Sequence, residues 1–391
     1  MDVNINYELA TPANYDEIVE HANFVFSYAD CPHEFKTLIP KAYGAERTMW
    51  PEHFIARENG RIRGLVGLLP FDMRVMDEVL HVGFIGTVSV HPYSRGMGYM
   101  KKCMAMSTAY AREHGLDIMA LGGQRQRYEY YGYESGGTSF SFSITATNCR
   151  HALGGVDASA IGFAPFAEVR ERMAELHALY EEGIVAGARP LANFEQICST
   201  WRNRPHAILR GGDIIGYAIA SSDLNRIEEL RLKDSADFGA VIKAYLAFAG
   251  LGGVDVVIPP HRAADVRAAT RLCEDIDTGT NEMFMILNYE RVVSVYLRLK
   301  QRVAGKLPDG RVTLGITGID GDAAPRSLTV SVQDGEVACA FTAETPDIVL
   351  DTIAAQNLLL NPVTYVDTSA LPECARSYFP LPAYIESADE F

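Results

Sequence analysis

The segment Val88-Ser-Val-His-Pro-Tyr-Ser-Arg-Gly-Met-Gly-Tyr-Met100 sets an arginine and two glycines between a β-branched run and a helical one. The first amides of a helix have no partner within it, and the helix dipole is positive there. A strand that passes through a glycine turn into a helix can hold a pyrophosphate on backbone N–H groups. Arg95 adds a cation that stays charged at any working pH. Taken alone, Arg95-Gly96-Met97-Gly98 suits an anion cradle and a capped turn with a surface arginine equally well. Two nucleotide-binding patterns built on the same physics do not fit. Lys101 stands where a dinucleotide turn needs its third glycine, and hairpin strands precede the loop where a β-α-β unit is required. No glycine-Lys-Ser/Thr sequence has P-loop spacing.

Other residue types could act beside this loop. Arg127-Tyr-Glu-Tyr-Tyr-Gly-Tyr133 offers tyrosine hydroxyls that could protonate a leaving group, or a core aromatic cluster. His91 precedes the loop and reads as a turn residue rather than a base. Trp50 and Tyr43 read either as the lining of an acceptor pocket or as core. The chain closes on Asp389-Glu390-Phe391, two acids beside an apolar ring and a carboxylate.

These residues need elements to carry them. Residues 5–9 alternate as a half-buried strand, and Thr11-Pro12 opens a helix with Tyr15, Ile18, Val19, Ala22 and Phe26 on one face. Asn59-Gly60 predicts a tight hairpin between 53–58 and 62–68. A strand over 84–90, a helix after Gly98 that ends at Gly115, and a strand over 117–121 follow. Residues 151–286 repeat this order weakly, with a helix from Phe166, a hairpin at Gly211-Gly212, a helix over 241–248 and a strand over 254–258. The second copy has Lys233-Asp-Ser-Ala-Asp-Phe-Gly239 in place of the glycine loop, so only the first copy can hold an anion there. From 287 the pattern predicts a short helix near Val292, strands over 312–316, 327–332 and 336–341, and a helix over 346–360. No low-complexity linker separates the three units, so they are expected to pack closely.

Composition narrows the function further. The chain has 391 residues, 48% of them hydrophobic, which excludes a disordered chain. Thirty-five basic against fifty acidic residues leave a net charge of -15. With no basic run, nucleic acid and anionic membrane are not expected partners. No stretch approaches the ~20 apolar residues of a membrane span, and Met1-Asp2-Val3-Asn4 lacks the pattern of a signal peptide. Seven cysteines without a C-x-x-C pair fit reduced thiols in a cytoplasm. Cys31-Pro-His33 is the nearest approach to metal-ligand spacing, and no metal is expected.

Together these residues resemble a family. Arg95-Gly96-Met97-Gly98 after Val88-Ser-Val90 is similar to the R-x-x-G-x-G/A loop of GCN5-related N-acetyltransferases (GNAT), with Met100 in place of the last small residue. Adding Arg127-Tyr128-Glu-Tyr-Tyr-Gly-Tyr133, the degenerate second copy and the C-terminal unit, the chain resembles the enhanced intracellular survival (Eis) family over its whole length. The resemblance implies an α+β (mixed α/β) architecture. It has a GNAT acetyltransferase domain at 1–150, a degenerate GNAT-like domain at 151–286 and a sterol-carrier-protein-like domain at 287–391. It implies acetyl-CoA as donor, with pyrophosphate on the amides of 95–100 (Arg95, Gly96, Met97, Gly98, Tyr99, Met100) and pantetheine along Val88, Ser89 and Val90. It also implies Tyr128 as general acid, the Phe391 carboxylate as general base, and a homo-hexamer. The acceptor would be a cationic amine, aminoglycoside- or polyamine-like, met by Glu390, Asp389 and Trp50. A non-enzymatic lipid- or acyl-CoA-binding protein using the C-terminal unit is the alternative. On the enzyme reading, deleting Phe391 should abolish transfer and leave the melting temperature nearly intact.

Overall fold

A computed structural model describes residues 4–391. The chain opens on β1 (Ile5–Leu9) and the helix Tyr15–Ala29, which buries Ile18, Val19, Ala22 and Val25. β2 (Glu52–Glu58) and β3 (Arg61–Val75) meet at Asn59-Gly60, whose φ angles of 51° and 82° are those of a two-residue hairpin turn. β4 (Glu78–Val90) leads through the glycine loop into the helix Tyr99–Glu113. β5 (Ile118–Leu121) lies parallel to β4, and β6 (Glu134–Gly136) follows the short helix Arg125–Glu129.

The next stretch carries β7 (Ser139–Thr145), β8 (Ile161–Pro165), β9 (Val185–Gly187), β10 (Arg204–Arg210), β11 (Asp213–Ala220) and β12 (Arg226–Leu232). After the helix Phe238–Ala249 come β13 (Gly253–Ile258), β14 (Asp275–Gly279) and β15 (Glu282–Ile286). β10, β11 and β12 form an antiparallel meander with β13 parallel to β12, the connectivity that β2 to β5 have in the first copy.

The strands do not stay within the expected boundaries. The first sheet has the order β1-β2-β3-β4-β5-β15-β6, with β9 also on β3, and the second has β14-β7-β13-β12-β11-β10-β8. Residues 139–145, expected in the first domain, thus lie in the second sheet. Residues 185–187 and 282–286, expected in the second, lie in the first. The limits at 150 and 286 therefore cut through both sheets. Alternation identifies a strand, whereas its partner is chosen by pairing distant in sequence.

The third unit is a four-stranded sheet, β18 (Glu336–Thr342), β17 (Arg326–Gln333), β16 (Gly310–Thr317) and β19 (Ile348–Asp351) in that order. The helix expected over 346–360 begins only at Thr352, because Ile348–Asp351 pairs parallel with β16 and Asp351 caps the helix through the Ala354 amide, 2.8 Å away. The short helix near Val292 runs from Tyr289 to Ala304. The helix expected from Phe166 is preceded by two tight turns and starts at Met173. One apolar cluster joins Ile18, Leu69 and Phe84 of the first sheet to Tyr296, Leu314, Leu358 and Phe391, so the first and third units share a core. Among the described residues no helix is long and apolar enough to cross a membrane.

Candidate active site

β4 and β5 pair only from Val82–Ile118 to Phe84–Ala120, after which the two strands part. β4 continues to Val90, bonded on its other side to β3. Four residues of β4 (Gly86 to Ser89) lie opposite three of β3 (Leu65 to Gly67), so β4 carries a bulge there. Within it Thr87 sits at φ 48°, a strained conformation for a β-branched residue and one that re-aims the strand edge. The opening between the strands is a cleft of about 710 Å³.

The cleft is walled by Val88, Ser89, Val90, Arg95, Gly96, Gly98, Tyr99 and Met100 from the loop side. Gly96 and Gly98 take φ values of 81° and 79°, which turn the chain into the Tyr99–Glu113 helix with its free amides toward the cleft. Arg95 is exposed and has no carboxylate partner among the described residues. Two loop residues differ from expectation. Met97 is turned outward and does not line the cleft. The Tyr99 side chain is buried, its hydroxyl 3.0 Å from Glu58, which leaves only its backbone for a ligand. His91 is a turn residue, its ring accepting from the Tyr93 amide at 3.4 Å.

Because Arg95 is exposed and makes no ion pair or side-chain hydrogen bond among the described residues, Arg95→Ala should leave the fold unchanged. If the loop carries the donor's pyrophosphate, losing a charge-assisted contact of about 1.5–3 kcal/mol weakens acetyl-CoA binding roughly 10- to 100-fold. Calorimetry with unchanged affinity would place the pyrophosphate elsewhere.

The opposite wall includes Gln124, Arg127 and Tyr131. Tyr128 between them turns inward. It is 7% exposed and packs with Ile85, Leu121, Tyr133 and Met285. Its ring fills the space that Gly123 leaves; a Cβ there would lie 2.8 Å from Cε2. Burial raises its hydroxyl above the ordinary tyrosine value, and Arg127 draws it partly back, so it remains protonated near neutrality.

The chain's end lies in this first unit. Phe391 is 4% exposed, stacked on Tyr43 at 5.8 Å and edge-on to His53 at 6.4 Å. A Cβ at Gly86 would come 2.6 Å from the Phe391 carboxyl carbon, and one at Gly67 would come 2.6 Å from the ring. Two glycines on neighbouring strands thus make the seat for this residue, and its carboxyl group rests on β4 one residue before Thr87.

A buried ionic network holds the tail in that seat. Both carboxylate oxygens of Asp389 accept from Arg189, at 2.7 and 3.1 Å. Arg189 also reaches Glu229 at 2.9 Å, and Arg231 bonds Glu229 at 3.2 Å and Glu386 at 2.7 Å. Lys41 donates to the Ala388 carbonyl at 2.7 Å. Asp389, expected to face an acceptor cation, is instead an anchor. Its oxygens are spent on a guanidinium that is itself fully buried. Arg189, Glu229 and Arg231 belong to the second unit, which therefore positions a residue of the first unit's site.

Glu390 lies beside Glu282 of β15. Burial, reinforced by Glu390, raises Glu282 well above the carboxyl range, so it keeps its proton. Burial pushes Glu390 up to about 7, with Glu282 and Lys41 pulling the other way. Glu386 is likewise raised to about 7 by burial. Both carboxyls take up protons on folding, so their stabilising contribution is complete below the usual value of 4.5 and is lost as pH rises through 7. The melting temperature should fall between pH 5.5 and 8. Glu390→Gln, which cannot ionise, should flatten that fall. A variant with the wild-type slope would assign the proton uptake to other groups.

Trp50 is 57% exposed, with the Arg47 guanidinium 4.4 Å over its ring. It shares a cavity of about 220 Å³ with Tyr15, Tyr43, Glu52 and His53, two of which touch the Phe391 ring. Burial lowers His53 to about 4, so it is neutral where it meets the Tyr43 hydroxyl at 2.7 Å. Lys41, Gly67, Gly86, Arg189 and Glu282 went unnoticed in the sequence, where nothing about their spacing sets them apart. Arg127 and Tyr131 flank Tyr128 and were legible as its neighbours. No group of residues able to hold a metal occurs among the described residues.

Residues 6–136 match the acetyltransferase (GNAT) domain family. No curated protein matches the chain in sequence. Several solved structures share its fold from end to end. A probable N-acyltransferase of Enterococcus faecalis is 13% identical with a TM-score of 0.67, covering 98% of each chain. A GCN5-related N-acetyltransferase of Anabaena variabilis and Eis1 of Mycobacterium abscessus are each 16% identical, with TM-scores of 0.66 and 0.65, covering 99% of this chain and 100% of theirs. At these identities the likeness is one of fold.

Proposed function

We infer, from a chain whose residues 6–136 are a GNAT acetyltransferase domain and which is an N-acetyltransferase, that it moves acetyl from acetyl-CoA to an amine of a cationic small molecule in a ternary complex. The observation that carries this reading is the splayed cleft beside β4, walled by Val88–Val90 and the glycine loop, with the Phe391 carboxyl group resting on Gly86, two residues before Val88 on the same strand.

The donor's pyrophosphate would rest on the amides opening the Tyr99–Glu113 helix and on Arg95. Its pantetheine would add to the free edge of β4 at Val88–Val90 as an extra strand. The amine must be neutral to attack. The Phe391 carboxylate takes its proton, the nitrogen bonds to the thioester carbonyl carbon, and the carbon–sulfur bond breaks. Tyr128 gives its proton to the departing thiolate, so the products are an N-acetylated amine and CoA thiol. Glu390 and the Trp50 cavity would receive the rest of the acceptor, and a chain at -15 attracts a cation.

We read the second unit as a degenerate GNAT-like domain, kept for its grip on the tail, and the third as sterol-carrier-like. The third unit's interior is filled by buried Leu314, Ile316, Leu328, Val330 and Tyr296, which favours a structural part over lipid carriage. We also propose a cytoplasmic homo-hexamer, to be checked by light scattering. The deciding experiment is thiol release from acetyl-CoA across amine classes. Aminoglycosides or polyamines should turn over and neutral alcohols should not. Release without acetylated product, or none with any amine, would reject the reading.

A further inference from the structure

The second sheet also opens. β12 and β13 pair only at Arg226–Asp255 and Ile227–Val256, and β12 continues to Leu232 without β13 beside it. At the opening lies a cleft of about 540 Å³ that shares no residue with the first. Arg231 and Leu232 line one side, and residues 261–265 with Arg267, from the start of the helix Ala263–Thr270, line the other. Glu182 and Arg302 stand at the rim. The wall holds four guanidinium groups (231, 262, 267, 302) against two carboxylates (182, 265) in a chain of net charge -15.

Not all of this charge is used internally. Arg231 is spent on Glu229 and Glu386, and Arg262 pairs with Asp265 at 2.5 Å. Arg267 and Arg302 are exposed and have no carboxylate partner among the described residues. Burial and the nearby Arg231 lower Arg262 from its ordinary value, as befits a site with excess positive charge.

His261 makes the cleft more than a basic patch. It is 6% exposed, and neither ring nitrogen has a hydrogen-bond partner. Orphaned buried polar atoms cost about 1–3 kcal/mol each, and here two of them fall on one ring that lines the cleft. The unpaired amides that open the Ala263–Thr270 helix lie in the same wall, and such amides favour anions. The loop that follows β12 cannot play this part, since Asp234 already caps it through the Ala236 amide at 2.8 Å.

We propose that this second cleft binds a small molecule through a phosphoryl group, held by Arg267, Arg302, His261 and the amides at residues 263–265. The test is calorimetric titration of inorganic pyrophosphate, with orthophosphate in parallel. Arg95→Ala serves as the background, so that the first cleft's loop is weakened. Saturable binding of either anion is expected, weakened at least about tenfold when Arg267→Ala and Arg302→Ala are added, because each removes a charge-assisted contact. Both residues are exposed, so the melting temperature should hold. Carbon-13 resonances of the His261 ring, assigned by His261→Gln, should shift on addition of the anion. No saturable binding, equal affinity in the triple variant, or an unmoved His261 resonance would each overturn the proposal.

Discussion

Adding one glycine after Phe391 should lower kcat by about 10²–10⁴-fold, the range for loss of a general acid or base, while acetyl-CoA still binds. The extension turns the terminal carboxylate into an amide but keeps the ring on Tyr43 and in the Gly67 seat. Deleting Phe391 is a poorer test than the sequence suggested. The melting temperature was expected to survive that deletion, but the ring is 4% exposed in the core shared by two units. Emptying such a site costs up to about 3–5 kcal/mol. Gly86→Ala approaches the same carboxyl group from β4. A methyl 2.6 Å from the carboxyl carbon must displace it, and kcat should fall as in the extended chain. Wild-type turnover in the extended chain would leave the carboxylate as an anchor and move the base to Glu390 or a bound water.

Tyr128→Phe should also lower kcat by about 10²–10⁴-fold and leave the acceptor's KM nearly unchanged, because the ring and its packing are kept. The ring fills the space beside Gly123 and packs with Ile85 and Tyr133, so Tyr128→Ala would confound chemistry with a cavity. Burial holds the hydroxyl protonated through the neutral range, as a donor to a thiolate requires. The variant should therefore lose rate at every pH from 6 to 9 rather than at one end. If Tyr128→Phe turns over like wild type, the acid lies at Tyr131, which lines the cleft.

What was legible in the sequence is what neighbours along the chain decide. Asn59-Gly60 was readable as a hairpin turn because tolerance of positive φ is a property of those residues themselves. The Arg95–Met100 loop was readable because a strand, a glycine turn and a helix lie within thirteen residues. The weak repeat was readable because both copies keep one order of elements.

The rest depended on pairs far apart. The expected limits put residues 139–145 in the first domain and 282–286 in the second, yet β7 pairs in the second sheet and β15 in the first, since a strand's own residues carry no label for its partner. Asp389 and Glu390 looked alike as two acids in a tail. One is spent on Arg189, 200 residues away, and the other faces Glu282, so an anchor and a titrating group differ only by who meets them. The sequence by itself determined the glycine loop after β4 and the order of strands and helices, because backbone preference and periodicity are local. Only the tertiary structure decided that Phe391 rests on Gly86 in the first unit under the grip of the second, because burial and charge pairing exist only once distant segments meet.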